Sequence, residues 1–145
     1  MKEDISLTLL EATGKKCEFL KAVVDKLELT NVSVICGRAE DLAKNEKYRE
    51  KFDMCSARAV ARLNTLCEYC MPFVKKGGKF IAYKGNAEEE VIEAKNAINI
   101  LGGKLEKVDN FLLNDANRQI ITIRKEKETP FLYPRGNGKE RKKPL

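Results

Sequence analysis

Apolar positions along the chain follow two alternating periods, short strand-like runs and longer helical stripes. Ile5 to Leu10 alternates and then runs apolar, as a buried strand does, and it stops at Glu11. Thr13-Gly14 opens a helical stripe over Lys15 to Leu27, with Cys17, Leu20, Val24 and Leu27 on one face and lysines opposite. Val32 to Cys36 is a second strand, ending in Gly37-Arg38-Ala39-Glu40-Asp41, and a charged helix or loop follows to Lys51. Phe52 to Ser56 is a third strand that ends at Ala57-Arg58. Arg62 to Phe73 is helical, with Leu63, Leu66, Cys70 and Phe73 aligned. Lys76-Gly77-Gly78 turns into a fourth strand, Lys79 to Tyr83, which ends at Lys84-Gly85.

The stripe from Ala87 to Leu101 starts with Glu88, Glu89 and Glu90, which suits the positive end of a helix dipole, and Gly102-Gly103 closes it. The last strands, Leu105 to Leu113 and Gln119 to Ile123, are separated only by Asn114 to Asn117. That spacing predicts an antiparallel hairpin at the edge of an otherwise parallel sheet. The class read from the pattern is α/β, with helices on both faces of the sheet. No boundary falls before about residue 126, so the expected division is a core over 1–125 and a basic tail over 126–145.

Composition narrows the classes. With 43% hydrophobic and 34% charged residues the chain is globular in character. No apolar run approaches the roughly 20 residues that cross a bilayer, and the N-terminus lacks a signal-peptide pattern, so a cytoplasmic setting is expected. Five cysteines form an odd set, and Cys36 and Cys55 sit in strand-like runs, which fits reduced thiols better than a disulfide framework. The net charge of +6 is concentrated near the end: residues 124–145 hold eight Lys or Arg against Glu126, Glu128 and Glu140. Such a segment suits phosphate binding, and equally a solvated flexible terminus.

Ligands of open α/β sheets bind outside the carboxyl ends of the strands. The residues there are Glu11, the run Gly37 to Glu40, Arg58 and Lys84. A carboxylate in the place of Glu11 suits ribose hydroxyls, Ala39-Glu40 suits a purine edge, and Arg58 and Lys84 suit an anionic substrate. Taken singly, each is an ordinary polar loop residue. Cys67 to Cys70 is a CxxC inside a helical stripe, with no second pair and no histidine in the chain, so neither a zinc site nor a redox motif is expected. The absence of histidine also removes the usual general base.

The segments LTLLEATGKKCEFL, VICGRAEDL, FDMCSARAVA, KKGGKFIAYKG and RQIITIRK, followed by Thr129-Pro130, Tyr133-Pro134-Arg135 and Lys143-Pro144-Leu145, occur in one order along nearly the whole chain. They resemble the ribosomal RNA small-subunit methyltransferase G family, also called glucose-inhibited division protein B. The resemblance implies a class I S-adenosylmethionine-dependent methyltransferase fold with a Rossmann-like sheet. It implies methyl transfer to N7 of a loop guanine in 16S rRNA, with 16S rRNA or the small ribosomal subunit as partner and no metal or membrane. By position it implies cofactor contacts from Glu11, Thr13, Ala39, Glu40 and Arg58, and RNA contacts from Lys84, Arg118, Arg135, Lys142 and Lys143.

The family's first strand, its glycine-rich turn and its N-terminal helical extension have no counterpart before Ile5. In the family's order that first strand lies between the strand ending at Glu11 and the one ending at Ser56, so two unpaired sheet edges are expected. A second reading follows: a catalytically inactive fragment that binds RNA through its tail. A small-molecule methyltransferase is a third, against which the tail and the segment order argue.

Overall fold

A computed structural model of the chain describes residues 4–58 and 61–145. Met1 to Glu3, ahead of the first strand, and Ala59-Val60, within the segment that begins at Phe52, lie outside the described residues. The structure divides into two compact units, Met1–Leu42 and Ala43–Leu145. The boundary therefore falls ahead of the third strand, and residues 126–145 belong to the larger unit, where a separate tail was expected.

The first unit contains β1 (Leu7–Glu11), α1 (Gly14–Lys26), β2 (Val32–Cys36) and the single turn α2 (Ala39–Leu42). The strands pair in parallel, from Leu7 with Val32 to Glu11 with Cys36, so both end at the same level. Thr13 is the extended N-cap of α1, and Lys26 sits in its last turn against the negative end of the dipole. Cys17 and Cys36 form a disulfide, contrary to the reduced thiols expected. Their register explains it: Cys36 pairs with Glu11, α1 starts three residues later, and the Cα atoms come within 5.9 Å, as a bridge requires. Cys55, Cys67 and Cys70 are free.

The second unit has the strand order β3-β4-β6-β5, with β3 (Phe52–Arg58), β4 (Val74–Lys84), β5 (Gly103–Leu113) and β6 (Ala116–Lys125). β3 and β4 are parallel, while β6 is antiparallel to both β4 and β5, as the short connection predicts. Asn114 and Asp115 both adopt positive φ, 48° and 59°, the geometry of a hairpin turn whose twist matches the strands. The expected turn at Lys76 to Gly78 is instead a bulge within β4. The register slips between Phe52↔Val74 and Met54↔Lys79, and a Cβ on Gly78 would lie 2.5 Å from the Asp53 carbonyl oxygen.

α3 (Leu63–Cys70) is buried along its whole length and runs into a 3₁₀ turn, Met71–Phe73, where Pro72 interrupts the helical hydrogen bonds. The stripe from Ala87 to Leu101 forms two helices, α4 (Glu88–Glu93) and α5 (Lys95–Ile100), because Ala94 relaxes to ψ −5° between them. The core collects Leu63, Leu66, Met71, Phe80, Leu101, Ile121 and Ile123.

Among the described residues no ladder hydrogen bonds join the β1-β2 pair to the four-stranded sheet. Both β1 and β2 are edge strands of their pair, and β3 and β5 are the edges of the larger sheet.

Candidate functional site

The carboxyl ends of β1 and β2 bring four of the expected residues together within the first unit. Glu11 closes β1, and its backbone carbonyl accepts the Gly37 amide at 2.9 Å, which draws the loop after β2 beside it. Glu11 Oε1 accepts the Thr13 amide at 2.8 Å. That bond, followed by the charge of Lys16, holds the Glu11 carboxyl below its ordinary value of 4.5. The group is therefore ionised at neutral pH. Ala39 and Glu40 start α2 and are half-buried, and Arg38 donates to Glu40 Oε1 at 3.4 Å. Thr13 contributes its backbone amide to this arrangement.

Within the second unit, Arg58 is exposed at the end of β3. Lys84, at the end of β4, is turned inward. Its ammonium pairs with Glu90 Oε2 at 2.8 Å, donates to the Ala61 carbonyl at 2.5 Å and is only 9% exposed. The same Glu90 oxygen accepts the Leu63 amide at 2.7 Å, so Lys84 and Glu90 together pin the N-terminus of α3. Arg118 is exposed on β6 beside a polar hollow of about 170 Å³ lined by Asn86, Glu88, Asn110, Asn117 and Gln119.

The C-terminal segment is strapped to the core by charged groups that face inward. Arg135 donates Nε and Nη2 to the two oxygens of Glu68, at 2.9 and 2.7 Å, and its own amide to Glu68 Oε1 at 2.9 Å. Glu68 is completely buried on α3, and this fork raises the Arg135 pKa further. Lys125 Nζ, also completely buried, donates to the carbonyls of Met71 and Val74 and to the Thr129 hydroxyl, and pairs with Glu50 at 2.9 Å. Burial lowers the Lys125 pKa, with Glu50 opposing. Arg49 gathers the carbonyls of Ala43, Thr129, Pro130 and Tyr133. Beyond this strap a single turn, α6 (Lys139–Lys142), leaves Lys139, Arg141, Lys142 and Lys143 exposed, while Glu140 is buried and accepts the Gly136 amide.

Two residues assigned to RNA on sequence, Lys84 and Arg135, are thus held in internal ion pairs; Arg118, Lys142 and Lys143 are exposed. Arg49, Glu68 and Lys125 escaped the sequence reading, since an isolated charge in a helix or strand reads as a solvated one. The one available signal was the Thr-Pro and Tyr-Pro-Arg punctuation after β6, which marks an ordered segment.

Comparison with known proteins decides the family. The family model for rRNA small subunit methyltransferase G (GidB) matches residues 1–121. The chain belongs to this family. A relative named ribosomal RNA small subunit methyltransferase G from Lactobacillus acidophilus is 46% identical over 144 residues, covering 97% of this chain and 60% of that relative. One of the same name from Clostridium novyi is 47% identical over 148 residues, covering 100% of this chain and 61% of the relative. The chain thus spans about 60% of the length of the curated relatives it matches.

Solved structures place the fold. An rRNA methylase from Streptococcus thermophilus superposes with a TM-score of 0.60 at 14% identity, covering 83% of this chain and 73% of that one. A variant of MtNAS in complex with S-adenosylmethionine superposes with a TM-score of 0.61 at 16% identity, covering 85% and 46%. The fold is that of the class I methyltransferases. Among the described residues no cluster of three or more His, Cys, Asp or Glu is arranged to hold a metal, and no helix is long and apolar enough to cross a membrane.

Proposed function

We propose that this member of the methyltransferase G family acts in the cytoplasm in S-adenosylmethionine-dependent methylation of 16S rRNA, at N7 of a loop guanine. The observation that carries this reading is the ionised, half-buried carboxylate of Glu11, set beside the Gly37 to Glu40 turn at the ends of two parallel strands. The fit to the cofactor is chemical: an ionised Glu11 suits a ribose hydroxyl, and the backbone around Ala39 and the Glu40 carboxylate suit the adenine. The cofactor, when bound, supplies an activated methyl group. Arg58, exposed at the end of β3, is a further cofactor contact by family resemblance. Nothing in the chain need remove a proton, because guanine N7 presents a lone pair and carries none; positioning of the base is then the chief contribution of the protein.

RNA is held in this reading by Arg118, Lys142 and Lys143, which are exposed, while Lys84 and Arg135 contribute by holding α3 and the C-terminal segment in place. Titration calorimetry with S-adenosylmethionine tests the cofactor half. Saturable binding is expected, weakened about 10- to 100-fold by Glu11→Ala, the equivalent of one hydrogen bond to a charged group. Absence of saturable binding in the unaltered chain would overturn it. For the RNA half, Lys142→Ala with Lys143→Ala should lower affinity for a 16S loop oligonucleotide and flatten its logarithmic salt dependence by about 1 to 2. A second reading, RNA binding without catalysis, is favoured if only the RNA half holds.

A further inference from the structure

An exposed phenylalanine normally belongs to a loop free to bury it. Phe131 is 91% exposed, Leu132 beside it is 69% exposed, and yet their loop is firmly tied. Nη1 of Arg49 donates to the carbonyls of Ala43 and Tyr133 at 3.1 and 2.9 Å, and Nη2 to those of Thr129 and Pro130 at 2.8 and 3.2 Å. The Tyr133 amide closes the turn onto the Pro130 carbonyl at 2.9 Å. The Arg49 guanidinium also lies 5.3 Å from the centre of the Phe131 ring. The ring is therefore supported from below by a cation that cannot leave, and displayed to solvent in a defined place.

The segment that carries it is net cationic, although exposed Glu126 and Glu128 stand just ahead of it. Residues 129–145 carry Arg135, Lys139, Arg141, Lys142 and Lys143 against one side-chain carboxylate, Glu140. Glu140 is buried, and Glu50 and Glu68 are engaged by Lys125 and Arg135, so these three do little to cancel the exposed cations. Lys44, also exposed, places its ammonium 3.1 Å from where a Gly136 Cβ would stand. An apolar protein partner would gain nothing from those cations. A polyanion with flat, unpaired bases uses both features, since stacking on an aromatic ring accepts any base and cations follow the backbone.

We infer that Phe131, braced on Arg49 within a net-cationic C-terminal segment, is a stacking platform for an unpaired base of single-stranded RNA. The site rests on the RNA reading above, and extends it from charge to base contact. Stacking depends little on salt, so the platform and the lysines contribute separable terms.

The test compares binding of a labelled single-stranded RNA, the same strand with one abasic position after another, and the corresponding duplex. Phe131→Ala is expected to weaken single-strand binding about 5- to 150-fold with an unchanged salt slope, to abolish the penalty of one abasic position, and to leave duplex binding unaltered. Phe131→Tyr should restore the affinity. Because the side chain is exposed, circular dichroism and the melting temperature should not change, which separates the result from misfolding. RNA binding that survives Phe131→Ala undiminished would overturn the platform and leave the RNA reading intact. Absence of any RNA binding by the unaltered chain would overturn both. Self-association that Phe131→Ala abolishes, with RNA affinity untouched, would assign the ring to a second copy of the chain and overturn the platform as well.

Discussion

Residues 4–42 and 43–145 use the same strand and helix grammar but are secured differently. Among the described residues, Cys17 is the only apolar side chain of the first unit that is fully buried, whereas the second buries Phe80, Leu63, Leu66, Met71, Leu101, Ile121 and Ile123. The first relies on two parallel strands, a helix and a disulfide. Two strands with one helix have little apolar surface to share, and sheets of this size are marginal in water. The second adds a class of interactions the first lacks, namely buried charges that tie distant segments to the core. Of the residues that the family resemblance points to for the cofactor, Glu11, Thr13, Ala39 and Glu40 lie in the weakly cored unit and Arg58 in the other. The lesson is that the strand-end carboxylate Glu11 and the Gly37 to Glu40 turn sit where the chain is least deeply cored.

Four experiments break or sharpen that contrast. Lys125→Met removes the donor shared by two carbonyls, a hydroxyl and Glu50 while keeping the apolar stem. A loss of about 3 kcal/mol in urea denaturation is expected, the low end for a broken buried pair because Glu50 keeps 22% exposure. A loss below 1 kcal/mol would show that the buried charge is dispensable. Hydrogen exchange should then separate the units: β1 and β2 amides are expected to exchange on the order of a hundredfold faster than those of β4 and β6. Equal protection would mean that the two units open together.

Arg135→Lys keeps the charge but loses the fork onto Glu68, so about 1.5–3 kcal/mol should be lost in thermal melts of the second unit. The smallest effect concerns Glu11. Its folded pKa is depressed, so the stabilisation from the Thr13 amide is fully present above about 4.5 and fades as pH falls through the lower folded value. Carboxyl NMR titration of Glu11 should show a midpoint below 4.5; a midpoint above it would mean the amide contact is not formed.

Much of the architecture was legible in the chain. The strand positions follow from period and punctuation, and β2 falls on Val32 to Cys36 as read. The hairpin was evident from the short connection at Asn114 to Asn117. The resemblance to the methyltransferase family was carried by segment order. The split of the stripe from Ala87 to Leu101 was not legible, because a break at Ala94 leaves the apolar spacing intact. Nor was the disulfide, which depends on the register that sets Cys36 opposite Glu11. The largest gap was the C-terminal segment. Its lysines and arginines read as one solvated population, but Lys125 reaches Val74 and Arg135 reaches Glu68, 51 and 67 residues away, separations no local pattern encodes.

The pairing of Glu68 with Arg135 also has a temporal side. During synthesis Arg135 follows Glu68 by 67 residues, an interval of about 3 to 13 seconds at roughly 5–20 residues per second. For that time α3 carries a carboxylate whose burial has no compensating cation, and Lys125 likewise waits for the Thr129 hydroxyl. The second unit therefore cannot close its core progressively as the chain emerges.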